Sequence, residues 1–161
     1  RRFAAELSKE TGIEVIAVSD LAKAVKESAI CVTCTPSKTY FLNREYISPG
    51  TFIAAVGADS EVKQELDPAL LASNKVVVDL LEQCATIGEL HHALEQGLVT
   101  KADVYAELGD VIAGKKAGRA SDDGIIIFDS TGTALQDVAA AAIVYERAMG
   151  AGMGVVLNLG E

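Results

Sequence analysis

Short, mainly apolar runs recur along the chain, most of them bounded by Gly, Pro or hydroxyl residues. They are Ile13–Val18, Ala29–Cys34, Thr51–Val56, Val76–Leu80, Gly124–Phe128 and Val155–Leu159. Runs of five or six residues without alternation predict strands buried on both faces. The stretches between them are amphipathic. Residues 1–10 place Phe3, Ala4 and Leu7 on one helical face, and Thr11-Gly12 closes that helix. Ser19 or Asp20 caps a short helix carrying Leu21, Ala24 and Val25 inward. Residues 38–50 read as a polar connection with a short helical turn. Asp67-Pro68 opens a helix in the favoured order, an N-cap carboxylate and then Pro at the first helical position. A helix over Leu81–Gly97 is broken near Gly88, and another covers about Ala106 to Ala113. Thr133–Met149 is the strongest helical pattern. Leu135, Val138, Ala139, Ala142 and Met149 recur at 3–4 spacing, and Thr133-x-x-Gln136 matches a capping box.

Strands alternating with helices predict an α/β protein with a parallel sheet covered on both faces. The 161 residues make one domain. Half of the residues are hydrophobic, mostly Ala, Val, Ile and Leu, and Trp is absent. The formal net charge of -9 argues against binding a nucleic acid or an anionic membrane by general electrostatics. No apolar run approaches the roughly 18 residues of a membrane span. Three Cys with no secretory signal predict a reducing, cytoplasmic setting. The chain starts Arg1-Arg2-Phe3 without Met, so it is expected to be a fragment or a processed product.

In a parallel sheet all C-terminal strand ends share one edge. Past the predicted strands stand Thr35 and Ser37, then Gly57, Ala58 and Asp59, then Asp79 and Glu82, then Asp129, Ser130, Thr131 and Gly132. The opposite ends offer Gly12, Ser28, Gly50, Lys75 and Gly124, a poorer chemical set. Small residues and hydroxyls at the first edge suit a dinucleotide laid across it. Asp59, with Lys63 four residues on, is either an acid at that ligand edge or a cap for the following segment. No Gly-x-Gly-x-x-Gly follows any strand.

Five segments together point to a family. They are Val32-Thr33-Cys34-Thr35-Pro36-Ser37; Gly50-Thr51 through Val56-Gly57-Ala58-Asp59, with Glu65-Leu66-Asp67; Ala106-Glu107-Leu108-Gly109-Asp110-Val111; Ala113-Gly114 with Gly118-Arg119 and Ser121-Asp122; and Phe128-Asp129-Ser130-Thr131-Gly132 with Gln136-Asp137. In this order and spacing the chain resembles the C-terminal half of the ornithine cyclodeaminase/mu-crystallin family. Lys63-Gln64-Glu65-Leu66 and Phe128–Gly132 look most like its alanine dehydrogenase branch.

The resemblance implies a homodimeric, NAD- or NADP-dependent oxidoreductase or cyclodeaminase acting on an amino acid or the corresponding imino acid. It implies that Asp59 is the catalytic carboxylate serving the substrate nitrogen. The mu-crystallin branch departs from Asp at that position. Thr33, Thr35 and Ser37 match the loop beside the adenosine half of the cofactor. Gly57, Ala58, Ser130, Thr131 and Gly132 match positions near the nicotinamide half, and Lys63 matches a cofactor or active-site contact. It further implies one partial Rossmann-like domain over 1–161, lacking the first strands and the glycine loop. Residues from about 133 to 161 return to a dimerisation domain in the intact family fold. Such a chain alone is expected to be inactive. The alternative is a non-catalytic remnant, or a ligand-binding or interaction module of the mu-crystallin type.

Other patterns carry less. Cys31-x-x-Cys34 lies on a predicted strand, where i and i+3 face opposite sides, which disfavours a redox or metal pair. His91 and His92 are helix neighbours about 100° apart, which argues against joint metal ligation and predicts a solvated surface. Gly114 to Arg119 lacks the spacing of a phosphate loop.

Overall fold

The computed structural model describes residues 1–155 and 157. Helices α1 (Arg2–Thr11) and α2 (Leu21–Lys26) lead into strand β1 (Ile30–Thr33), followed by β2 (Lys38–Leu42), β3 (Phe52–Ala55) and β4 (Gln64–Leu66). Then come α3 (Pro68–Ser73), β5 (Lys75–Val78), α4 (Leu81–Ile87), α5 (Glu89–Glu95), β6 (Ala106–Glu107), α6 (Leu108–Ile112), β7 (Ile126–Asp129) and α7 (Ala134–Gly150). One sheet runs β1-β3-β7-β5-β6 with every pairing parallel, and β2 pairs with β4 in a small second sheet. The predicted α/β class with a parallel sheet and flanking helices is the observed one.

Local chemistry accounts for several boundaries. The Asp67 carboxylate accepts from Ala69 N–H at 2.9 Å, and Pro68 fills the first helical position, so α3 begins there. Gly88 separates α4 from α5 because the chain must pass close to a carboxylate. A β-carbon on Gly88 would lie 2.6 Å from Asp129 Oδ2. The core forms on one face of the sheet. Ile53, Ala55, Val76, Val78 and Ile127 pack there against Leu66, Leu70, Cys84, Leu90 and Ala93. Full burial of each large aliphatic side chain contributes about 1.5–3 kcal/mol. The other face is less complete: Phe52, Ala54, Ile126 and Phe128 are half-buried, and α6 covers them only in part. That leaves a depression of about 350 Å³ between the sheet and α6.

Four expectations change. Ile13–Val18 forms no strand; Ile13, Ile16 and Val18 are exposed, because no strand among the described residues lies beside them to complete a ladder. Helix α7 forms over the predicted length, but Leu135, Val138 and Met149 are exposed rather than packed. Thr133 caps α7 only through its extended backbone, so the capping box does not close. Residues 38–50 contain β2 as well as a helical turn at Arg44–Tyr46. The strand expected over Val155–Leu159 falls largely outside the described residues. Among the described residues no helix is long and apolar enough to cross a membrane.

Candidate functional site

The sheet order decides what meets what. Strand β3 lies between β1 and β7, with Thr33 opposite Ala55 and Ala55 opposite Asp129. The three loops leaving these strands therefore emerge side by side. The loop after β1 carries Thr35 and Ser37. The central one carries Gly57, Ala58 and Asp59, and the loop after β7 carries Ser130, Thr131 and Gly132. Val56 N–H donates to Thr33 C=O at 2.9 Å, and Ser130 N–H donates to Ala55 C=O at 2.9 Å, extending the ladder into the loops. All of the predicted site residues are thus gathered at one edge.

Asp59 is an exposed acid of the central loop, with 61 % of its side chain accessible. Lys63 Nζ pairs with its Oδ1 at 2.6 Å, and Lys63 is itself largely buried. A half-exposed ion pair of this kind contributes well under about 1 kcal/mol, so its effect is to aim the carboxylate. The Lys63 carbonyl is in turn hydrogen-bonded to His92 Nε2 at 2.7 Å. His92 is therefore half-buried against this loop, which corrects the solvated surface predicted for the two histidines. Ligand atoms of His91, His92 and Glu95 approach within 4.8 Å of one another, but His92 Nε2 already serves the loop.

The third loop is fixed from below by Asp79, at the end of β5. Its Oδ2 accepts from Ser130 Oγ at 3.0 Å, Thr131 N–H at 2.8 Å and Gly132 N–H at 3.0 Å. Its Oδ1 accepts from Leu80 N–H at 2.7 Å and from the Cys84 thiol at 3.0 Å. Burial pushes the Asp79 carboxyl up, but these donors outweigh it and hold it below the usual carboxylate range. Burial, with the neighbouring carboxylates, pushes the Cys84 thiol far up, so it serves as a donor. The Ser130–Gly132 turn is thus rigid before any ligand arrives.

A ladder of three buried acids, unforeseen from the sequence, ties the loops together. The Asp129 carboxylate accepts from Glu89 N–H at 3.2 Å and Leu90 N–H at 2.9 Å, at the start of α5. The Glu89 carboxylate accepts from Glu65 N–H at 2.8 Å and Leu66 N–H at 3.0 Å, in β4. Glu65 Oε1 accepts from Thr35 N–H at 2.6 Å, in the loop after β1. All three side chains are fully or almost fully buried. Burial raises Asp129 to about 7 and Glu89 to about 8, against the lowering effect of the backbone donors. Acids usually read as surface residues. The available signal was Glu65 and Glu89 standing directly before the leucines Leu66 and Leu90.

Cys31 is buried, Cys34 is exposed, and neither is in a disulfide. Cys31 lies in β1, which ends at Thr33, and Cys34 lies in the loop that follows. Two buried polar atoms at this edge, Thr33 Oγ1 and Glu65 Oε2, have no hydrogen-bond partner among the described residues. Buried polar atoms are rarely left so. The hydroxyls of the exposed Thr35 and the half-buried Ser37, beside the small residues Gly57 and Ala58, suit the polar backbone of a dinucleotide.

The chain is 49 % identical over 125 residues to the alanine dehydrogenase of Archaeoglobus fulgidus, covering 78 % of this chain and 39 % of that protein. Among solved structures, an archaeal alanine dehydrogenase dimer with bound NAD superposes with a TM-score of 0.88 at 41 % identity, over 96 % of this chain and 48 % of that one. The Thermococcus litoralis Delta(1)-pyrroline-2-carboxylate reductase, in complex with NADH and L-proline, gives 0.91 at 30 % identity, over 97 % and 49 %. The chain thus spans about half the length of the solved relatives it matches, and somewhat less of the archaeal dehydrogenase's sequence. The model of the ornithine cyclodeaminase/mu-crystallin family matches residues 1–152, and the chain belongs to that family.

Proposed function

We propose that this chain supplies the cofactor edge and the catalytic acid of an NAD(P)-dependent oxidoreductase acting on an amino acid or its imine. The observation that carries the reading is the position of Asp59. It stands on the loop of the central strand, flanked by the Thr35–Ser37 loop on one side and the Ser130–Gly132 turn on the other.

The chemistry follows from that position. Hydride can leave Cα only when the attached amine is neutral. Asp59 takes a proton from the substrate ammonium in the oxidative direction and returns one to the nitrogen in the reductive direction. A nicotinamide group, when bound, supplies the hydride acceptor or donor. Lys63 holds the Asp59 carboxylate at the loop. Thr33, Thr35 and Ser37 hold the adenosine side, and Gly57 and Ala58 let the cofactor approach the backbone. The Asp79-anchored turn offers a fixed wall on the nicotinamide side. Substrates of this reading are small amino or imino acids, and the assembly is a homodimer.

A second reading, a folded chain without activity of its own, is favoured by one observation. Ile13, Ile16 and Val18, and Ile30 and Val32 of the edge strand β1, are exposed, and β1 has no strand on its outer edge among the described residues.

The two readings separate by titration of the purified chain with NADH and NADPH, followed by nicotinamide fluorescence. Micromolar binding, together with turnover of alanine, proline or ornithine with NAD+ or NADP+ as hydride acceptor that Asp59→Asn abolishes without weakening binding, is the expected result for the oxidoreductase. Binding without turnover supports the second reading. The absence of binding at millimolar cofactor overturns the proposed role of the edge.

A further inference from the structure

Glu65 lies between two of the loops just described. It rises from β4, and its carboxylate enters the space beneath the ends of β1 and β3. Oε1 takes the Thr35 N–H at 2.6 Å. The other side of the carboxylate lies against Gly57, where an added β-carbon would be 2.6 Å from the Glu65 carboxyl carbon. Gly57 is glycine here for space, since its backbone is not in the left-handed region. Glu65 is wholly buried, and its Oε2 has no partner among the described residues. Its own backbone is clamped by Glu89, whose N–H is held by Asp129 at the base of the Ser130 loop.

We propose that Glu65 is a positioning residue that couples the cofactor-side loop at Thr35 to the loop carrying Asp59, so that the two respond to a bound ligand as one unit. The proposal rests on the oxidoreductase reading above only for the identity of that ligand. A buried carboxylate fixed at its backbone cannot follow one loop without pressing on the other. Displacement of Thr35 pulls Oε1, and the same rigid group bears on Gly57, two residues before Asp59. Interiors packed to this density transmit such shifts. The bare Oε2 is the one carboxylate oxygen of the ladder without a partner among the described residues, and it lies against Gly57 in the loop that carries Asp59.

The test uses 1H–15N spectra of the chain, of Glu65→Gln and of Glu65→Ala, each titrated with NADH. In the unmodified chain the amides of Thr35 and of Gly57 to Asp59 are expected to shift along one saturation curve. In Glu65→Ala, with the β5 and β7 amides unchanged as the check of folding, the two sets separate. Thr35 responds only at about tenfold higher NADH, and the Gly57–Asp59 amides stay near their ligand-free positions. Glu65→Gln, which keeps the volume and one acceptor, restores most of the joint response. Loops that still shift together at the original concentration in Glu65→Ala overturn the coupling. If NADH moves no amide of the unmodified chain, the oxidoreductase reading fails, and the ligand-free spectra decide the coupling instead. Glu65→Ala must then displace Gly57–Asp59 as well as Thr35, and a change confined to Thr35 overturns it.

Discussion

Raising the pH from about 6 to about 8 should loosen the fold through Glu89. Its carboxyl ionises near 4.5 in an unfolded chain and at about 8 in the folded one, because burial opposes the charge. Across this interval the unfolded state has already lost its proton while the folded state keeps it. The protonated fold is therefore favoured: its contribution is complete below about pH 4.5 and is lost as the pH rises through 8. Each pH unit in the window costs about 1.36 kcal/mol, tapering near the folded value, so the interval removes about 2 kcal/mol. Asp129, raised to about 7, adds about 1 kcal/mol in the same direction. The assay is urea denaturation followed by circular dichroism at closely spaced pH values, for the chain and for Glu89→Gln. The glutamine keeps one acceptor for the Glu65 and Leu66 N–H groups and leaves the other short, so its absolute stability falls by about 1–3 kcal/mol. Its pH slope should flatten by more than half. An unchanged slope in Glu89→Gln would refute the assignment of the titration to this buried acid, whatever happened to the absolute stability.

Asp79→Asn should destabilise the chain by about 2–4 kcal/mol in the same denaturation assay, since an amide cannot accept on both sides as the six donors at Asp79 require. In the unmodified chain the Asp79 contribution is present above its unfolded ionisation range and is lost as the pH falls through its lower folded value, opposite in sense to Glu89. Gly57→Ala should cost about 2–3 kcal/mol, because its methyl meets the Glu65 carboxylate. Combined with Glu65→Ala, which vacates that space, its cost should shrink by at least about 1 kcal/mol. Strict additivity in the double mutant would show that the two residues do not bear on each other.

Much of the sheet was legible because its strands are apolar on both faces. Ile53 and Phe52 alternate toward a core and a half-covered face, yet both are hydrophobic, so the run stands out. Asp67-Pro68 and Gly88 marked helix boundaries through chemistry that acts locally. Strands β2 and β4 left no such mark: Lys38-Thr39-Tyr40-Phe41-Leu42 is mixed, and Gln64–Leu66 is three residues long. Ile13–Val18 misled for the opposite reason. An apolar run records a demand for burial, and strand formation also needs a neighbour. The site divides in the same way. Asp59, Lys63 and the Ser130–Gly132 turn were visible as residue types at a strand edge, whereas Glu65, Glu89 and Asp129 derive their importance from backbone groups 23 to 40 residues distant.

Those separations also bear on how the molecule assembles. Each rung of the acid ladder closes a loop of more than twenty residues before it returns any stabilisation, so the rungs form late, after the β3–β7–β5 pairings have brought their ends near. The N–H groups of Glu65, Leu66, Glu89 and Leu90 are locked by carboxylates that cannot be withdrawn singly without leaving charge or donors stranded in the core. Their exchange with solvent deuterium is consequently tied to opening of the whole domain, and the floor of the candidate site is among its slowest-breathing parts although the loops above it are exposed.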